Sequence, residues 1–95
     1  MRVRYYIDPE TGLPHIYRHG VTEAEVEDVL EHPGEDRPAH EGARSAIGRT
    51  GAGRHLRVIY VPGPEPGGLF VITAYPLEGK PLLAYRRRLR RRGSS

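Results

Sequence analysis

The chain reads as an α+β domain. It has an antiparallel sheet, one helix ahead of the central strands and a second helix at the C-terminus, in the order β-β-α-β-β-β-α. Three observations predict this. A capped amphipathic segment lies near residues 22–32. Three period-two segments follow it at short spacing, around 44–49, 54–61 and 69–75. A final stretch, about 80–92, repeats apolar residues at helical intervals and is crowded with arginine.

Val3, Tyr5 and Ile7 alternate with Arg2, Arg4 and Tyr6, which is strand periodicity, and Asp8-Pro9-Glu10-Thr11-Gly12 ends it in a turn. Leu13 to Arg18 is expected as a second short strand, with Pro14 restricting it to an edge or a strand start. His19-Gly20 stops it. Thr22 is a helix N-cap, and Glu25 stands three residues later as its capping-box partner. Val26, Val29, Leu30 and Val21 form the apolar stripe, and Pro33-Gly34 closes the helix after His32. Residues 34–42 are polar and rich in turn formers.

Arg44 to Arg49 resumes an extended pattern, and Thr50-Gly51-Ala52-Gly53 connects it to Arg54–Val61. In that strand Leu56, Val58 and Tyr60 share one face and Arg57, Ile59 and Val61 the other. Both faces are largely apolar, so the strand belongs in the middle of the sheet. Leu69–Tyr75 is the strongest strand. Three strands joined so closely form an antiparallel meander. In the last helix Pro81 is tolerated in the first turn, and Leu82, Tyr85 and Leu89 share a face with Arg86 beside them. Residues 1–92 make a single domain and 93–95 a disordered tail.

Charge is carried unevenly. Residues 80–95 hold seven basic side chains and no acid, while residues 1–79 hold eight basic and twelve acidic ones. The formal charge of +3 is thus a +7 tail on a −4 body. A polyanion would meet the tail first. There is no cysteine, which excludes disulfides, thiolate chemistry and Cys-based zinc sites. The histidines lack a third ligand at sensible spacing, so no metal and no cofactor is expected. No apolar run approaches membrane-spanning length or forms a signal peptide, so the expectation is a cytoplasmic protein with no membrane partner.

Several phrases then fall in a familiar order. Arg18-His19-Gly20-Val21-Thr22-Glu23-Ala24-Glu25 opens the acidic helix. Ile47-Gly48-Arg49 and Gly53-Arg54-His55-Leu56-Arg57-Val58 follow in the sheet, and Leu69–Ala74 leads to a Tyr- and Arg-bearing final helix. Over roughly residues 13–88 this order resembles the BrnT-like toxins, a branch of the RelE/ParE toxin superfamily, and small uncharacterised toxin-like relatives. The resemblance implies a RelE-like fold and a type II toxin–antitoxin pair. It also implies metal-independent endoribonuclease activity on RNA, which in this setting includes RNA at the ribosome, and a cognate antitoxin. Carried onto this chain, the functional positions are His19, Arg49, Arg54, Tyr85 and Arg86.

The side chains suit such chemistry. Histidine titrates near neutrality and can move the protons of the 2′-OH and the leaving oxygen. Arginine presents paired donors to phosphoryl oxygens and stays charged. The catalytic expectation is therefore His19, Arg49, Arg54 and Arg86, with Arg49 and Arg54 opposite one another across a hairpin. RNA contacts are expected from His55, Arg57, Tyr85, Arg87, Arg88, Arg90, Arg91 and Arg92, the last five as backbone attraction without base reading. Each has a plainer reading: His19 as a cap residue, the hairpin arginines as solvated ends, Tyr85 as core. The whole chain has two as well, a non-catalytic nucleic-acid- or antitoxin-binding module and a structural or interaction domain.

Overall fold

The computed structural model describes residues 2–93. The class is α+β: a five-stranded mixed sheet with two α-helices. The strands are β1 (Arg2–Tyr5), β2 (Glu35–Pro38), β3 (Arg44–Arg49), β4 (His55–Pro62) and β5 (Gly68–Pro76), and the helices are α1 (Glu23–Glu31) and α2 (Gly79–Gly93). The sheet order is β1-β5-β4-β3-β2. β4 is its middle strand, as its two apolar faces predict.

The β3–β4–β5 meander is antiparallel as expected. Two other expectations are corrected. Leu13–Arg18 is not a strand: His15–His19 forms a 3-10 helix, with Pro14 before it and Gly20 closing it in the left-handed conformation at φ 68°. All that remains of strand pairing there is a single bridge from Ile7 to Pro14. With that partner gone, β1 pairs parallel with β5, so the sheet is mixed rather than antiparallel. The polar stretch 34–42 supplies the missing strand, since β2 pairs antiparallel with β3 at the sheet edge. Only Glu35 of β2 is buried, so no apolar alternation advertises it. Pro38, at its end, is tolerated at an edge. Gly93 closes α2 rather than opening a tail, and residues 94 and 95 lie outside the described residues.

α1 forms as its sequence dictates. Thr22 accepts from the Glu25 backbone N–H at 3.3 Å and Glu25 accepts from the Thr22 N–H at 3.0 Å, completing the capping box. Such a cap stabilises a helix by about 1 kcal/mol. Val26 and Val29 of α1, with Ile16 and Val21, bury against Leu56, Val58, Val71 and Ala74 on one sheet face. A fully buried aliphatic side chain contributes roughly 1.5–3 kcal/mol, so this cluster is the main core. On the opposite face α2 lays Tyr85 and Leu82 on Ile47 and Leu77, a smaller cluster at one end of the sheet. The rest of that face is left open.

Candidate nucleic-acid interface

Alternation along β4 decides which predicted side chains meet. Leu56, Val58 and Tyr60 join the α1 core, so His55, Arg57 and Ile59 point to the other face. The strand register pairs Arg49 with His55, not with Arg54. One residue of difference moves a side chain to the opposite face. Arg54 accordingly turns toward α1, where its Nη1 donates to the Gly20 carbonyl at 2.8 Å and to Glu25 at 3.2 and 3.3 Å. The expected Arg49–Arg54 pair of cations is replaced by Arg49 beside His55.

His55 is half-buried, and its ring lies 6.0 Å from that of Tyr85, centroid to centroid. Burial, then the charges of Arg86 and Arg49, push its pKa below the ordinary 6.5. The shift favours the neutral imidazole at pH 7. Arg49 lies over the adjoining turn, with Nη2 3.3 Å from where a Cβ on Gly53 would stand. Arg86 is exposed, not turned into the core. Neither Arg49 nor Arg86 has a carboxylate within salt-bridge distance among the described residues. Arg49, His55, Tyr85 and Arg86 thus form one group.

The ring contacts of His19 are to other residues. Its ring is 5.4 Å from His15 and 6.0 Å from Tyr75, and His15 is 6.0 Å from Tyr6. The 3-10 helix brings His15 and His19 together, which an extended segment would not have done. Among the described residues no three His, Cys, Asp or Glu side chains gather as a metal-holding group.

The basic tail is divided. Arg88, expected to attract the nucleic-acid backbone, is half-buried and bound to Glu35, with Nε at 2.6 Å and Nη2 at 2.9 Å. Arg92 donates to the Gly34 carbonyl at 3.0 Å. Arg87, Arg90 and Arg91 line an open groove on the outside of α2. No helix among the described residues is long and apolar enough to cross a membrane.

Sequence reasoning did not single out Arg37, His40 or Tyr75. With Ser45, Arg57 and Arg88 they line a cleft of about 440 Å³ on the sheet face that α2 leaves open. Arg37 lay in a stretch read as loop. The period-two alternation of β5 places Tyr75 on the face of Arg57.

No family model matches the chain, and comparison with curated proteins and with solved structures gives no match either.

Proposed function

We propose that the chain is a metal-independent endoribonuclease of the toxin kind, with a RelE-like fold, and that His55 is its general base. The observation that carries the reading is the half-buried His55, against the Tyr85 ring and opposite Arg49 in the strand register, with Arg49 and Arg86 both lacking a carboxylate at salt-bridge distance among the described residues. His55 would take the proton from a ribose 2′-OH. The 2′-oxygen would attack phosphorus, the bond to the 5′-oxygen would break, and that oxygen would leave with a proton from solvent. Arg49 and Arg86 would hold the phosphoryl oxygens as charge builds on them. The products are a 2′,3′-cyclic phosphate and a free 5′-OH. Arg87, Arg90 and Arg91 would attract the RNA backbone from the outside of α2. The same surface suits an acidic segment of a cognate antitoxin, and the setting is the cytoplasm.

One observation favours a second reading, RNA binding without cleavage. Tyr85, the other titratable group beside His55, is held protonated by burial first and by the Glu35 charge next, so it is no second base. Incubating the protein with end-labelled RNA in EDTA separates the two. Cyclic-phosphate ends that vanish in His55→Ala support cleavage. Retention of RNA without new ends supports binding alone.

A further inference from the structure

We propose that the open half of the α2-side sheet face is a nucleotide site, in which Arg57 and Arg37 take a phosphate and Tyr75 takes an unpaired base. This rests on the RNA reading above and names its substrate class: single-stranded RNA.

The first support is an unmet donor. The Nε of Arg57 is buried and has no hydrogen-bond partner among the described residues. Arg57 sits on β4, at the centre of the sheet, where burying an N–H without an acceptor is costly. The nearby carboxylate cannot serve it. Glu35 already takes both prongs of Arg88 and faces Arg37 at 3.7 Å. On the same face, Thr73 of β5 lies diagonal to Arg57 in the strand register, and its hydroxyl is also buried without a partner. Three arginines thus face one carboxylate around a cleft of about 440 Å³. That volume falls within the usual range for small-molecule sites, and an anion bearing several oxygen acceptors fits its charge.

The second support is independent and concerns the rings. Tyr75 is a wall of the cleft and pairs with Arg57 across β4 and β5. It is also the last ring in the row Tyr6–His15–His19–Tyr75, whose neighbouring centroids lie 5.4–6.0 Å apart. Cations in a groove beside flat rings bind an unpaired strand, whose bases have free faces. A duplex hides those faces within its own stack. An acidic peptide answers the charge but offers Tyr75 no flat partner.

The test uses the full chain and a fluorescein-labelled 12-nucleotide RNA, free or annealed to its complement, with anisotropy as the readout. Arg57→Lys keeps the charge and deletes the Nε donor, and Tyr75→Leu deletes the ring. Each is expected to weaken binding of the single strand by about tenfold. Arg37→Gln, at an exposed rim position that does not endanger folding, is expected to weaken it several-fold. The duplex is expected to bind at least about tenfold more weakly than the single strand. RNA binding that is indifferent to Arg57, Arg37 and Tyr75 in folded variants overturns the cleft assignment and leaves the RNA reading standing. Equal affinity for the duplex overturns it too. Failure of the parent protein to bind any RNA overturns both.

Discussion

Glu35 on β2 receives both prongs of the Arg88 guanidinium from α2, at 2.6 and 2.9 Å. The pair fastens the final helix to the edge strand, over a helix interface built mainly from Tyr85, Leu82, Ile47 and Leu77. Burial is the largest influence on Glu35 and opposes its ionisation. The hydrogen bonds and charge of Arg88, with Arg37 and Arg92, outweigh it and hold the pKa below the ordinary 4.5. A depressed carboxylate pKa gives stability that is present above pH 4.5 and lost as pH falls through the lowered value. Glu35→Gln is expected to lower unfolding free energy at pH 7 by roughly 1–3 kcal/mol, since it leaves Arg88 half-buried beside a neutral group. Urea titrations check this, and the gap between parent and variant should close in acid. A gap that stays constant from pH 7 to pH 3 refutes the linkage.

Gly34 owes its identity to Tyr85. A Cβ at position 34 would stand 1.9 Å from the Tyr85 hydroxyl and 3.1 Å from Cζ. Gly34→Ala must therefore displace the ring from the smaller core, at a cost of about 1–3 kcal/mol. Tyr85→Phe removes the nearer atom. The double variant Gly34→Ala with Tyr85→Phe is expected to be less destabilised than the two single effects summed, and denaturant melts of all four proteins measure that coupling. Simple additivity would mean that the contact does not limit packing.

The elements with strong periodicity were legible: the Thr22–Glu25 cap, the α1 stripe, the meander and the middle position of β4 all follow from pattern. What was hidden had physical reasons. β2 buries one residue, and that residue is a glutamate, so it looks like loop. The parallel pairing of β1 depends on β5, more than sixty residues away, and no local signal encodes it. Pro14 and Gly20 bound a segment too short to show a helical period. At the candidate site the expected neighbours are regrouped by the strand register. Arg49, His55, Tyr85 and Arg86 meet, whereas Arg54 is one residue out of register and turns to Glu25. Arg88 looked like tail charge because its partner lies 53 residues away.

The outer arginines of α2 should act through charge alone. Arg87 and Arg90 line the exposed groove, while Arg88 holds the fold together. Arg87→Gln with Arg90→Gln is expected to leave thermal stability unchanged and to weaken RNA binding uniformly across sequences. Each lost phosphate contact removes about 0.7 from the slope of log affinity against log salt for a single strand. The double variant should therefore flatten the slope by roughly 1.4. An unchanged slope would remove the outside of α2 from the binding surface.

The proposed base makes the sharpest demand on pH. Because burial and then the Arg86 and Arg49 charges lower the His55 pKa beneath 6.5, the deprotonated form persists into mildly acidic solution. The ascending limb of cleavage against pH, followed as kcat/KM, should lie below 6.5. Arg86→Gln removes one of the two cations and should move that limb upward, toward 6.5, while also slowing cleavage through the lost phosphate contact. The same depression has a signature in folding that needs no RNA. A histidine whose folded pKa is lowered gives stability that is whole above pH 6.5 and declines as pH falls from there to the folded value, because the unfolded chain takes up its proton first. His55→Gln should abolish that part of the decline. Following the His55 ring protons by NMR across this range gives the pKa directly, in the parent and in Arg86→Gln. A midpoint at or above 6.5 in the parent would remove both the neutral base and the arginine pressure that keeps it neutral.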